Sequence, residues 1–240
     1  MKRYKLSDLV IFENDDYLIV EKPPFLSSLD ERLGNAMNLL QIVRTELPEA
    51  KLGHRLDKET SGAVAIAKHF EAYRHLSIQF QERQVEKVYH AIAVGVHDFK
   101  EEAVEVPLHK MKNGLSAVNY KQGKPSLTFF STLEAFRHYT LLECRPITGR
   151  LHQIRVHAQV LGAPLVADKA YGGKDLFLSE IKRKKFNLKK WEEELPLMQR
   201  VALHAKELGF KGLNGEDIKA VTKYPKDFSA LLRQLGKFDM

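Results

Sequence analysis

A chain of 240 residues, 44% hydrophobic and 29% charged, has the arithmetic of one globular domain or of one domain with a small appendage. That excludes a disordered tail, collagen, a coiled coil and a disulfide knot. Thirty-eight Lys and Arg against 31 Asp and Glu leave a formal charge of +7, a balance that suits polyanionic partners, while the single Cys144 excludes an intramolecular disulfide and a thiolate metal site.

Lys2 and Arg3 precede an apolar run, Leu9 to Phe12, that ends at Glu13, about half the length a signal peptide needs. Gly62 to Ala67 falls far below the roughly 20 apolar residues of a membrane span. A cytoplasmic chain with no membrane partner is expected.

Tyr17 to Val20 reads as a strand ahead of the Pro23-Pro24 break. Asn35 to Leu47 spaces Met37, Leu40 and Val43 near the helical period, with Asn35 as N-cap and Pro48 as stop, and a loop then runs from Pro48 to Gly53. Ala63 to Lys68 reads as a buried strand. Phe70, Tyr73, Leu76 and Phe80 recur at three, three and four, which predicts an amphipathic helix over His69 to Glu82. Val88 to Val94 returns to strand character.

Val104 to Val106, Leu127 to Leu133 and His138 to Arg145, punctuated by Gly114, Gly123 and Pro125, predict antiparallel hairpins rather than crossovers. Gly149 to Leu161 reads as a helix closing at Gly162, Leu203 to Phe210 as a strand, and Phe228, Leu231, Leu232 and Leu235 as a C-terminal helix opening after Pro225. The absence of regular strand–helix alternation indicates an α+β fold, read here as a single domain over residues 1–240.

Two polar segments carry chemistry. In His54 to Gly62, Arg55 and Asp57 stand two apart, so in extended geometry a guanidinium and a carboxylate face one ligand; an ordinary salt-bridged loop is the competing reading. In Thr148 to His157, Thr148 or Gly149 could cap a helix whose first turn carries Arg150, an arrangement suited to phosphate; a solvated basic helix face competes with it. His152 and His157, five apart, face different ways on a helix, which disfavours a shared metal. Lys87 and Tyr89 share one face of a strand. Lys182 to Lys185 with Lys189 and Lys190 beside Trp191 form a basic run, either a solvated surface or a flap that tracks phosphates.

Together these segments resemble the RluA family of pseudouridine synthases. The nucleophile motif His-Arg-Leu-Asp-x-x-Thr-Ser-Gly stands complete at His54 to Gly62, and the tyrosine motif is matched by Lys87-Val88-Tyr89-His90-Ala91 with Gly95. Gly-Arg-x-His-Gln-Ile-Arg-x-His is complete at Gly149 to His157, followed by Gly162-Ala163-Pro164, by Asp168 to Gly173, and by Leu203-His204-Ala205. Ala167 stands where the family usually has glycine, which puts the local loop geometry in question.

The resemblance implies a pseudouridine synthase fold, a mixed and mainly antiparallel sheet with flanking helices and a central cleft. It implies isomerisation of a uridine within ribosomal or transfer RNA by base flipping, with no metal and no cofactor. It assigns Asp57 as the catalytic aspartate, Arg155 as the partner that keeps Asp57 ionised, and Tyr89 as the ring that stacks on the uracil and assists proton removal from carbon 5. It further implies that Arg55 fills the vacated stack, that Leu203 walls the base, and that His54, Lys87, Arg150 and His152 contact substrate or support those that do. The pattern begins near Tyr17, so no N-terminal RNA-binding module is expected; Lys174 to Ala202 reads as a basic insertion, and the protein as a monomer. An inactive RNA-binding module of the same fold is the alternative; a glycoside hydrolase pairing Asp57 with Glu59 and a metal-dependent nuclease are disfavoured for want of partner carboxylates.

Overall fold

In chain order the elements of the computed structural model, which describes residues 4–30, 37–182, 186 and 193–240, begin with β1 (Val10–Glu13), β2 (Tyr17–Lys22), α1 (Leu39–Arg44), β3 (Lys51–Leu52), β4 (Ser61–Ala67), α2 (Phe70–Gln81) and β5 (Glu86–Val94). There follow β6 (Glu102–Glu105), β7 (Leu108–Lys110), β8 (Ser116–Val118), β9 (Leu127–Ala135), β10 (Tyr139–Pro146) and α3 (Gln153–Val160). The chain ends with α4 (Leu178–Lys182), β11 (Leu203–Lys211), β12 (Asp217–Val221) and α5 (Lys226–Phe238). The class is α+β with mainly antiparallel pairing, as expected.

Two compact units share the chain. One comprises Met1–Val88 and His204–Lys223, the other Tyr89–Leu203 and Tyr224–Met240.

In the first unit the strands run β1-β2-β4-β11, with β12 on β11 and β3 on β4; β4 and β11 pair in parallel, His204 opposite Ser61. All seven residues of β4 are buried, and its alternate Ala63, Ala65 and Ala67 join the cluster holding Leu76 of α2, Phe210 of β11 and Ile218 of β12. Such small side chains let a helix pack closely on the sheet.

The buried face of α2 is Ala72, Leu76 and Gln79, with Tyr73 and Phe80 packed at its edge. Phe70, expected on that stripe, is 65% exposed beneath the Lys51 ammonium at 5.1 Å. Gln79 belongs inside because its amide donates to the Lys211 carbonyl (2.9 Å) and accepts from the Lys211 N–H (2.8 Å).

Helix α1 starts later than expected. Its cap is Asn38, whose side chain accepts from Gln41 N–H while Gln41 Oε1 accepts from Asn38 N–H, both at 3.0 Å, a reciprocal capping box contributing about 1 kcal/mol. Asn35 lies outside the described residues.

The second unit orders its strands β5-β10-β9-β6, all antiparallel, with β7 and β8 as a separate hairpin. One cluster gathers Ala91, Ala93, Phe130, Leu142, Ile154, Leu165 and Leu203; another gathers Ile92, Leu176, Ile181, Met198 and the Phe228, Leu231 and Leu235 face of α5. The ends of the Lys174 to Ala202 segment therefore contribute core. Even Arg200 is fully buried, its guanidinium paired with Asp227 (2.7 and 3.0 Å) and donating to the Leu203 carbonyl (3.2 Å). Of the basic run, Arg183 to Lys185, Lys189, Lys190 and Trp191 lie outside the described residues.

Candidate active site

In the first unit the loop carrying Asp57 is held from both sides. Before Asp57, the Ser28 hydroxyl donates to the Leu56 carbonyl (2.9 Å) and accepts from the Leu56 N–H (3.1 Å). After it, the Lys58 carbonyl accepts from the Phe25 N–H (2.8 Å) and from the Lys22 ammonium (3.1 Å). Lys22 is fully buried and also donates to the carbonyls of Pro23 (3.1 Å) and Leu26 (2.8 Å), so one cation ties the loop after β2 to the loop before β4. Within the turn, Thr60 N–H donates to the Asp57 carbonyl (3.0 Å).

The loop then enters β4 at a point fixed by two groups. The first is Gly62, with φ +118° and the Ala205 carbonyl 2.1 Å from where a Cβ would stand. The second is His204, fully buried, whose Nδ1 meets the Ser61 hydroxyl (2.9 Å) and whose Nε2 meets the Thr222 hydroxyl (2.8 Å). Thr222 donates onward to the Ala205 carbonyl (3.0 Å), so His204 donates to Thr222 through Nε2. The imidazole thus bridges β4, β11 and the segment after β12.

His54 is engaged by the fold. Its Nε2 accepts the Ala65 N–H (3.1 Å) and its ring lies 5.0 Å from that of Phe80; burial first, then the Lys87 charge, lowers its pKa to about 3. Burial alone lowers that of Lys87 to about 8. Arg55 is exposed and Asp57 half-buried.

In the second unit α3 begins at Gln153, four residues later than expected. Gln153 Oε1 accepts from the Thr148 hydroxyl (2.7 Å) and the Arg150 N–H (2.9 Å), and its amide donates to the Leu127 carbonyl (3.0 Å) and the Thr128 hydroxyl (2.9 Å). These contacts hold Thr148 to His152 as a turn, with His152 at φ +53°, so Arg150 stands outside the helix, its Nε bonded to the Pro125 carbonyl (3.2 Å). The helix N-terminal phosphate site considered for Arg150 is therefore not formed.

Arg155 projects from α3 to Asp168, Nε to Oδ2 and Nη2 to Oδ1, both at 2.7 Å, with the Asp168 side chain fully buried. The guanidinium also lies over the Tyr171 ring, 4.8 Å from its centroid. Tyr171 accepts the Ser116 N–H (2.8 Å) and bonds His152 Nδ1 (2.8 Å), so Arg155 and His152 meet on one tyrosine. Asp168 is delivered by a tight turn: Ala167 takes φ +62°, the conformation a glycine would adopt without cost, and Gly173 lies where a Cβ would stand 1.9 Å from the Leu165 carbonyl. Asp168, Tyr171 and His204 lie within the family motifs, which assign them no role, and Lys22 lies outside them; the hydrogen bonds above are what reveal all four.

Tyr89 on β5 packs against the cluster that contains Leu203 and Ile154, so the expected ring and the expected apolar wall share one surface. His157 is fully buried: Ser126 donates to the Val106 carbonyl (2.6 Å), which makes His157 Nε2 the donor to Ser126 (2.9 Å) and leaves Nδ1 without a partner among the described residues. Burial lowers its pKa to about 4.

The two depressed histidines set an acid limit on stability. Both bind protons in the unfolded chain below about pH 6.5 and in the folded chain only near pH 3 and 4, so stability falls as pH drops through that window. At pH 5 each is expected to have removed about 2 kcal/mol relative to pH 7. Urea unfolding at the two pH values measures the loss, and His157→Gln should show about half of it; an equal loss in that variant would reject His157 as a source.

The strand order and helices have a counterpart in human RNA pseudouridylate synthase domain containing 1, which superposes over 94% of this chain and 87% of its own with a TM-score of 0.67 at 26% identity. Residues 16–160 match the model of the family described as RNA pseudouridylate synthase. The chain belongs to that family, in its RluA branch: an isomerase converting uridine in RNA to pseudouridine. It is 35% identical over 235 residues to ribosomal large subunit pseudouridine synthase D of Haemophilus ducreyi, 94% of this chain and 70% of that one. To ribosomal large subunit pseudouridine synthase C of Vibrio vulnificus it is 40% identical over 172 residues, 70% of this chain and 54% of the other. No helix among the described residues is long and apolar enough to cross a membrane.

Proposed function

We propose that the protein, acting as a cytoplasmic monomer with residues 1–240 as one catalytic domain, isomerises a uridine in the RNA of the large ribosomal subunit without metal or cofactor. The observation that carries this reading is the double anchoring of the Asp57 loop, at Leu56 by Ser28 and at Lys58 by Lys22 and Phe25. A group that must meet one carbon of a flipped nucleotide needs such preorganisation.

In this reading Asp57 promotes cleavage of the bond from ribose to ring nitrogen 1, the uracil turns, carbon 5 is joined to the ribose, and the proton of carbon 5 leaves while nitrogen 1 gains one. Arg155, held in place by Asp168, is the catalytic arginine of this reading. Tyr89 stacks on the uracil and assists removal of the carbon 5 proton, and Leu203, in the same apolar cluster, walls the base. Arg55, exposed beside Asp57, fills the vacated stack. Lys87 and Arg150 contact phosphates, while His54 and His152 support the loop and the Arg155 network through the bonds described. The ribosomal relatives favour ribosomal RNA over transfer RNA, and the +7 charge suits either polyanion.

Purified protein incubated with large-subunit ribosomal RNA tritiated at uridine carbon 5 is expected to release tritium in proportion to new pseudouridine. No release from that RNA overturns the ribosomal assignment, and chain cleavage or free uracil overturns isomerisation.

A further inference from the structure

Phe25 is an aromatic residue in the left-handed backbone region, φ +65°, with 54% of its surface exposed. A bulky side chain adopts that conformation at a cost that glycine avoids. The backbone on either side is over-determined: the Phe25 N–H donates to Lys58, the next carbonyl, Leu26, accepts the buried Lys22 ammonium, and the Leu26 side chain is buried. The ring is therefore held out into solvent from a rigid support that is bonded to the residue after Asp57. Arg55 and Lys58, one on each side within that loop, are exposed cations.

We propose that Phe25 is a stacking platform for an unpaired base of the RNA substrate, one that flanks the nucleotide delivered to Asp57. An aromatic face beside phosphate-seeking cations is the combination by which single-stranded nucleic acid is gripped without reading its sequence. Strain is tolerated at sites where a side chain has something to meet, and here the backbone spends stability to present a ring to solvent. The inference rests on the RNA substrate proposed above and adds to it a contact outside the reacting nucleotide.

The test uses a short oligouridylate carrying 5-iodouridine, irradiated with the intact protein, and fluorescence anisotropy with the unmodified oligomer. The expected results are a crosslink mapped to Phe25, and in Phe25→Gly about a 10-fold or greater loss of affinity with an undiminished melting temperature and an unchanged salt slope. Phe25→Trp restores affinity. Wild-type affinity in Phe25→Gly, a Trp variant as weak as the Gly variant, or a fall in melting temperature showing that the ring serves packing, each overturns the proposal. Wild-type protein that releases tritium while Phe25→Gly binds normally defeats the platform and leaves the isomerase reading standing; wild-type protein that neither binds nor turns over defeats both.

Discussion

Asp57→Asn is expected to abolish tritium release, a loss of about 10⁴-fold or more in kcat, while the protein stays folded and binds RNA. The replacement keeps the size of the side chain and removes its charge and nucleophilicity. The loop should keep its shape because Leu56 is tied to Ser28 and Lys58 to Lys22 and Phe25. The melting temperature is expected to move by no more than a few degrees, as for a substitution outside the core. Activity above about one hundredth of wild type would sink the assignment of Asp57. A collapse in stability would show that the carboxylate, rather than its neighbours, holds the loop.

Gly62→Ala is expected to produce a large loss of stability. A Cβ there meets the Ala205 carbonyl at 2.1 Å, in the parallel register of β4 and β11, and φ +118° is strained for any side chain. The carbonyl is backbone and cannot swing aside. Strain of about 1–3 kcal/mol adds to the cost of separating the strands, a large share of a total of roughly 5–15 kcal/mol. A fall in melting temperature of roughly 10 °C or more follows for a chain of this size. Gly114 provides the control, with φ +84° and nothing within 4 Å among the described residues, so that Gly114→Ala reports strain without collision. Equal shifts in the two variants would remove the close approach as the cause.

Elements whose apolar residues follow their own period were legible from the sequence: β2, β4, the β9–β10 hairpin, β11 and α5. Those fixed by distant polar partners were not. The start of α3 depends on Gln153 reaching Leu127 and Thr128 across the chain, and the exposure of Phe70 on where Gln79 finds Lys211. Asn38-Leu39-Leu40-Gln41 did carry the capping-box signal for α1, overshadowed by Asn35. At the site, Asp57, Tyr89 and Arg155 stood out through their motifs, whereas Asp168 meets Arg155 only because a turn with a left-handed Ala167 returns the chain after thirteen residues. Lys22, between Glu21 and Pro23, looks like any surface lysine, and only the buried carbonyls of Pro23, Leu26 and Lys58 reveal its position.

The interleaving of the two units orders events during synthesis. The leading end of β4, at Ser61 and Gly62, finds its β11 partners in His204 and Ala205, about 140 residues later. At roughly 5–20 residues per second the nascent chain holds that apolar edge unpaired for on the order of 10 s, the kind of edge that invites aggregation. The loop bearing Asp57 leads into the same end of β4. Its geometry is completed late in translation, so a chain stalled before residue 204 carries every residue of the nucleophile motif and lacks the strand that positions it.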